Sequence, residues 1–349
     1  MTKRLTRGKV DRMQKLSDSE GQINALALDQ RGSLKKMIQD AMERNGKAYN
    51  IQQVYDFKRD VSKVLSPHAS AILLDEELGF EGIEAKDKNT GLIMSYEKTG
   101  YDVATPGREP ELIPTQSAEN MIANGADALK VLIYYNPNDP DEINDQKKAF
   151  AERYGTEAAA ADIPTFFEIV TYDDKIDDPK GAEFAKEKPE LVLKSAAEFT
   201  KPKYHMDVLK LEMPFNPDFV EGMTHSEATP VYTEAEVSDY LTQLGKIVTR
   251  PYIFLSGGVP TDTFMAQLKL AGEAHANFNG VLSGRATWKD GIEVYAKDGE
   301  DALIKWLETK GVDNINTIHK ILNQYALPWV DNYGGKDEID VIDLQVVTD

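Results

Sequence analysis

Eight short, nearly continuous apolar runs, separated by stretches of helical periodicity, constrain this chain more than any other feature. The runs cover residues 24–30 (NALALDQ), 71–78 (AILLDEEL), 92–98 (LIMSYEK), 128–136 (ALKVLIYYN), 164–172 (PTFFEIVTY), 206–215 (MDVLKLEMPF), 252–259 (YIFLSGGV) and 278–285 (FNGVLSGR). Runs of this length and apolarity suit parallel strands covered on both faces. Between them, Ile51, Val54, Phe57, Val61 and Val64 recur at spacings of three and four, which makes one apolar stripe on a helix. Residues 33–45, 141–161, 180–201, 234–250 and 261–277 read the same way, the last opening with Thr261 as an N-cap after Pro260. Strands alternating with helices predict either a doubly wound sheet or a (β/α)8 barrel, and the count of eight favours the barrel.

A length of 349 residues fits one such barrel with additions. The expectation is a single domain over 1–349, with a barrel core of about 22–298. A helix at 5–16 caps the bottom, and a helical extension fills 299–349. The acidic stretch 332–349 is expected to pack on a neighbour or hang free. Hydrophobic residues make up 41% of the chain, enough for a large core.

Charge and chemistry narrow the function. With 40 basic against 59 acidic residues, the net charge of −19 repels nucleic-acid backbones and anionic lipid. A phosphorylated substrate would therefore need a local basic site. There is no cysteine, so thiolate metal sites, disulfides and cysteine nucleophiles are excluded. The five histidines (His68, His205, His225, His275, His319) show no zinc-ligand spacing, and no G-x-G-x-x-G follows a strand, so neither a metal nor a dinucleotide cofactor is expected. Residues 1–17 are basic and amphipathic, without the apolar centre of a signal peptide, and no stretch approaches a membrane span. Those features point to the cytoplasm.

Charges inside the apolar runs carry the functional signal, because an isolated charge there is costly unless it is paired or lies at a solvated strand end. Five such charges stand out: Asp29, Glu97, Lys130, Glu168 and Lys210. In a barrel, the C-terminal strand ends face the mouth, where barrel enzymes do their chemistry. Lys210 is read either as a buried ion pair with Glu168 or Glu212, or as an amine deprived of its proton by desolvation and a second nearby cation, Lys130. The second state is what attack on a ketone requires. Glu168 follows two phenylalanines, which should raise its carboxyl toward the range useful for proton transfer. Asp29 is read as a polar site residue or as the N-cap of the next helix. Glu97 is read as a partner of Lys98 or Arg31.

Two glycine turns follow the last two runs: Ser256-Gly257-Gly258 and Ser283-Gly284-Arg285. Glycine lets backbone N–H groups approach a phosphate closely, and Arg285 adds a guanidinium fork. Barrels commonly bind phosphate in the loops after strands seven and eight.

The chain resembles the tagatose 1,6-bisphosphate aldolases, a class I branch, over residues 25–329. The resemblance is carried by ALALDQRG at 25–32, ALKVL at 128–132, Phe167-Glu168, DVLKLE at 207–212, Ser256-Gly257-Gly258 and Ser283-Gly284-Arg285. It implies Lys210 as a Schiff-base lysine, Glu168 as the acid/base carboxylate, and Lys130 and Asp29 as supporting groups. It also implies a 1-phosphate site at Ser256, Gly257, Gly284 and Arg285, with Gln30, Arg31 and Glu97 near substrate hydroxyls or the 6-phosphate. Implied too are a ketohexose bisphosphate substrate, loose choice among its epimers, a role in lactose and galactose catabolism, and a homo-oligomer, dimer or tetramer. Alternatives within this frame are another Schiff-base aldolase, such as one acting on sulfofructose phosphate, or an aldolase-fold metabolite sensor that binds a transcription factor.

Overall fold

The computed structural model describes residues 3–102, 104–223 and 228–344. Its centre is a closed ring of eight parallel strands. These are β1 (Ile23–Ala27), β2 (Ala71–Leu74), β3 (Gly91–Ser95), β4 (Ala128–Tyr135), β5 (Thr165–Thr171), β6 (Val208–Leu211), β7 (Tyr252–Leu255) and β8 (Gly280–Ser283), with β8 pairing back onto β1. The expected (β/α)8 barrel is present. The apolar runs extend beyond the strands at the C-terminal side, because the chain there leaves the ladder to form the mouth.

Side chains alternate between the lumen and the helix layer. Ile23, Ala25, Ala27, Leu73, Ile93, Ala128, Phe166, Val208, Ile253 and Leu282 fill the lumen. Leu26, Ile72, Leu92, Leu129, Phe167, Leu209 and Phe254 face outward into the larger helix-covered layer. Both faces are buried, which is why the strands read as continuous apolar runs rather than as alternation.

The expected helices appear as Gly32–Arg44, Gln52–Leu65, Asp141–Ala160, Ala182–Phe199, Glu234–Ile247 and Thr261–Glu273. The expected cap at Thr261 is absent: its hydroxyl donates to the Ala286 carbonyl instead, and Pro260 occupies the cap position. Two short helices, Phe80–Ala85 and Ala118–Ala123, complete the ring. Neither is long enough to show a period in sequence. Beyond β8, Gly291–Asp298, Glu300–Trp306 and Val312–Tyr325 form the helical extension. Tyr325 lies on Gly272, where a Cβ would come within 2.2 Å of its ring.

The bottom of the barrel is plugged. Leu5, Met13, Leu16, Trp329 and Tyr333 pack against the lumen cluster, and the buried pair Lys9–Asp207, at 2.7 Å, ties the helix Arg7–Lys15 to the entry of β6. The expected helix at 5–16 starts later, because Arg4–Thr6 is a strand. Its partner is Asp340–Ile342, in parallel register. As far as Leu344, the acidic tail thus folds back onto the chain's own N-terminal segment. The ion pairs Lys3–Glu338, Arg4–Asp340 and Arg7–Asp343 hold it to the basic N-terminal segment. Residues 345–349 and His225 lie outside the described residues. Among the described residues, no helix is long and apolar enough to cross a membrane.

Candidate active site

The two-residue period of the strands, carried on past the ends of β1 and β3, places these five charges on one surface. Asp29 lies two residues beyond Ala27, Glu97 four beyond Ile93, Lys130 two beyond Ala128, Glu168 two beyond Phe166 and Lys210 two beyond Val208, and each of these reference residues faces the lumen. The register sets Lys210 beside Glu168 on neighbouring strands. All five charged side chains line one cavity of about 520 Å³ at the C-terminal mouth.

Lys130 is the hub. Its ammonium is 1% exposed and lies 2.8 Å from Asp29 Oδ2, 2.8 Å from Glu97 Oε1 and 2.9 Å from Glu168 Oε2. The cation that these three carboxyl groups surround is thus the protein's own amine. Burial alone would strip its proton, but the carboxylates, Asp29 foremost, outweigh burial and hold Lys130 charged well above the usual range. Lys210 Nζ reaches the same Glu168 Oε2 at 2.9 Å, so one oxygen is shared by two amines. Glu212, the other partner considered for Lys210, instead accepts from Lys188 and from the Thr171 backbone and hydroxyl.

The electrostatics correct one expectation. Burial pushes Glu168 upward, as its phenylalanine neighbours suggest, but Lys130 and Lys210 outweigh it and the carboxyl sits below its ordinary value. Glu168 is therefore ionised at rest and begins as a proton acceptor. Asp29 behaves alike: burial raises it, Lys130 and Lys210 pull it well below the carboxylate range, and the Ser95 hydroxyl donates to it at 3.2 Å. Asp29 does not cap the following helix; Arg31 occupies that cap position. Glu97 is the carboxyl pushed upward, because burial, reinforced by Asp29, exceeds the pull of Lys130 and Arg31. Its partners are Lys130 and Arg31, whose Nη1 and Nη2 donate to the Glu97 carbonyl at 3.1 Å. Lys98 turns away to Glu111.

The glycine turns stand at the ends of β7 and β8, the latter next to Asp29 at the end of β1. Gly257 and Gly258 adopt left-handed backbone (φ 60° and 81°). The Arg285 guanidinium lies flat on Gly258, where a Cβ would come within 2.7 Å of Cζ. Among the described residues, no carboxylate pairs with Arg285. Gly257 and Arg285 line the cavity directly. Ser256, Gly258 and Gly284 lie behind them, Gly284 wedged between the Ala27 carbonyl and Gln30 Nε2. Gln30 and Arg31 also line the cavity, and Gln30 Oε1 and Glu97 Oε2 are buried without a partner among the described residues. Unspent acceptors of this kind suit a polar ligand.

Sequence reasoning missed the far wall: Tyr134, Arg108 and Tyr101 also line the cavity. Tyr134 was legible in principle, four residues beyond Lys130 on the same strand face. Arg108 lies in a segment with no periodicity.

A lysine in contact with a carboxylate, inside a cavity with unpaired cationic and hydrogen-bonding groups, can form and hydrolyse an imine on an anionic carbonyl compound. Comparison with known proteins agrees with that chemistry. The model of the DeoC/LacD family aldolases matches residues 23–290. The tagatose 1,6-diphosphate aldolase of Listeria monocytogenes serotype 4a is 48% identical over 98% of this chain and 99% of its own length. Tagatose 1,6-diphosphate aldolase 2 of Enterococcus faecalis is 45% identical, over 93% of this chain and 96% of its own. Among solved structures, the fructose-bisphosphate aldolase of Plasmodium falciparum superposes with a TM-score of 0.62 at 14% identity, over 93% of this chain and 98% of the other, a likeness of fold.

Proposed function

Because this chain belongs to the DeoC/LacD family of aldolases, we propose that it is a Schiff-base aldolase that reversibly cleaves D-tagatose 1,6-bisphosphate to dihydroxyacetone phosphate and glyceraldehyde 3-phosphate. The substrate follows from the names of the relatives. The observation that carries the mechanism is the contact of Lys210 Nζ with Glu168 Oε2 at 2.9 Å inside the cavity.

The amine of Lys210, its proton passed to Glu168, attacks the C2 ketone of the open-chain sugar. Glu168 then returns the proton as the carbinolamine loses water. The iminium withdraws electrons from C3, so the C3–C4 bond breaks as Glu168, again ionised, takes the C4 hydroxyl proton, and glyceraldehyde 3-phosphate leaves. The enamine is protonated at C3 and hydrolysed to dihydroxyacetone phosphate. Lys130 remains charged throughout and keeps Asp29 and Glu168 in place. Gly257 and Arg285, with Ser256, Gly258 and Gly284 behind them, hold the 1-phosphate. Gln30, Arg31 and Glu97 meet hydroxyls of the chain.

Loose discrimination among epimers, fructose 1,6-bisphosphate included, belongs to the same reading. So do a place in the tagatose 6-phosphate route of lactose and galactose breakdown, a cytoplasmic setting and a dimeric or tetrameric assembly. Light scattering of the purified protein tests the assembly.

Borohydride reduction with dihydroxyacetone phosphate, followed by peptide mass spectrometry, should find the adduct on Lys210. Lys210→Ala should lose both the adduct and turnover while melting as the parent does. An adduct on any other lysine, or one that persists in the variant, sinks the assignment.

A further inference from the structure

The cavity extends past Lys210 to a cation that the mechanism above does not use. A ketohexose bisphosphate carries a phosphate at each end, so a lysine attacking C2 needs an anion grip on both sides. Arg285 stands at the end of β8. Four places round a ring of eight lies the opposite rim, at the end of β4, and Arg108 is the cation there. Its guanidinium sits 5.3 Å from the ring centroid of Tyr101, 5.3 Å from that of Tyr134 and 4.4 Å from that of Tyr172. Three rings beside one guanidinium fix its direction, while its N–H edges stay able to donate to an acceptor, which at rest is Asp174.

Apart from Arg285 on the far side, the other cations that line the cavity are committed. Lys130 is enclosed by three carboxyl groups, Lys210 rests on Glu168, Arg31 is bonded to Glu97 and Lys98 pairs with Glu111. The partner of Arg108 is Asp174, whose side chain is 54% exposed. Both bonds, from Nε at 3.1 Å and Nη2 at 2.7 Å, fall on the single oxygen Oδ1. Nη1 has no partner among the described residues. A phosphate, with three oxygens and greater charge, would match the fork better. The segment bearing Arg108 is also held in place: the Tyr172 hydroxyl shares its one proton between Asp139 and the Gly107 carbonyl, 3.1 Å away, and Lys147 Nζ donates to that hydroxyl at 2.9 Å.

We propose that Arg108, oriented by Tyr101, Tyr134 and Tyr172, grips the phosphate of the aldehyde-derived half of the substrate, displacing Asp174, which occupies the grip at rest. The proposal rests on the aldolase reading and assigns its second anion site.

The test compares Arg108→Ala, Arg108→Lys and Asp174→Asn with the parent protein. Borohydride trapping with dihydroxyacetone phosphate, which lacks the second phosphate, should show the same half-saturating concentration in all four. For the ketohexose bisphosphate, Arg108→Ala should raise KM by about 10- to 100-fold, with Arg108→Lys between it and the parent. In condensation with dihydroxyacetone phosphate, Arg108→Ala should lose the preference for glyceraldehyde 3-phosphate over unphosphorylated glyceraldehyde. Asp174→Asn should lower KM. An unchanged preference for the phosphorylated aldehyde overturns the proposal and leaves the aldolase reading standing. A parallel loss of dihydroxyacetone phosphate trapping also overturns it, because Arg108 would then serve the whole mouth. If the parent protein itself traps no adduct, the aldolase reading falls and this assignment falls with it.

Discussion

Lys130 is an ammonium ion enclosed by Asp29, Glu97 and Glu168, and it is nearly inaccessible to water. Its folded value lies above that of the free side chain, so its contribution to stability is present below the ordinary lysine range and is lost as pH rises through the folded value. Asp29 and Glu168 lie below their ordinary values, so theirs is present above the ordinary carboxylate range and is lost as pH falls through the folded values. The cluster therefore supports the fold between about pH 4 and 10.5. Lys130→Met would leave the carboxyl groups buried around an apolar side chain. Urea denaturation at pH 7 should show a loss of about 3–5 kcal/mol, with a smaller loss at pH 4, where the carboxyl groups begin to neutralise. Equal losses at both pH values would mean that packing, not charge, sets the cost. At this scale the sequence was most legible. Asp29, Lys130, Glu168 and Lys210 stand out because charge is costly in apolar runs. The direction of the Glu168 shift was not legible, since it depends on two amines contributed by neighbouring strands.

Among the elements, segment 96–117 after β3 departs furthest from the regular repeat. It turns back on itself through the antiparallel bridge of Glu97 with Leu112 and through backbone bonds from Lys98 to Glu111 and from Ile113 to Tyr96. The turn is anchored by Tyr172, against which Lys147 is wholly buried. Burial lowers the Lys147 amine from 10.5 to about 8, with Asp139, Glu109 and Asp174 opposing the fall and Arg108 assisting it. Between these two values the unfolded chain binds more protons than the folded one, so stability rises with pH there. Below about pH 8 the full penalty of about 3 kcal/mol remains. Lys147→Met should flatten that rise when denaturation midpoints are compared at pH 8 and pH 10; a slope equal to the parent's would place the titration elsewhere. Nothing in the sequence of this segment announced its course. Its contacts are long-range and its residues follow no period, whereas the barrel strands and their long helices were readable because burial on fixed faces imprints a repeat on composition.

On the scale of the whole molecule, the mouth and the base are chemically separate. The mouth carries the charged cluster and the unpaired acceptors; the base carries the aromatic plug of Trp329 and Tyr333 and the buried Lys9–Asp207 pair. The tail after Gly335 adds exposed ion pairs and a three-residue ladder, and exposed pairs contribute little. Deleting residues 336–349 should cost roughly 1–2 kcal/mol at most and leave kcat and KM unchanged in a steady-state assay. A large change in KM would show that the tail reaches the mouth. The acidic composition of this tail had suggested a free or neighbour-bound segment. The partner it has within the chain, a basic strand more than 330 residues earlier, is invisible to any local pattern.

Joining the first described strand to the last brings residues 4–6 and 340–342 together beneath the floor, on the side away from the entrance. A surface-coupling site engineered on the exposed face of that strand pair would thus point away from the opening through which sugars enter and leave, so immobilised molecules should present an unobstructed doorway to solution.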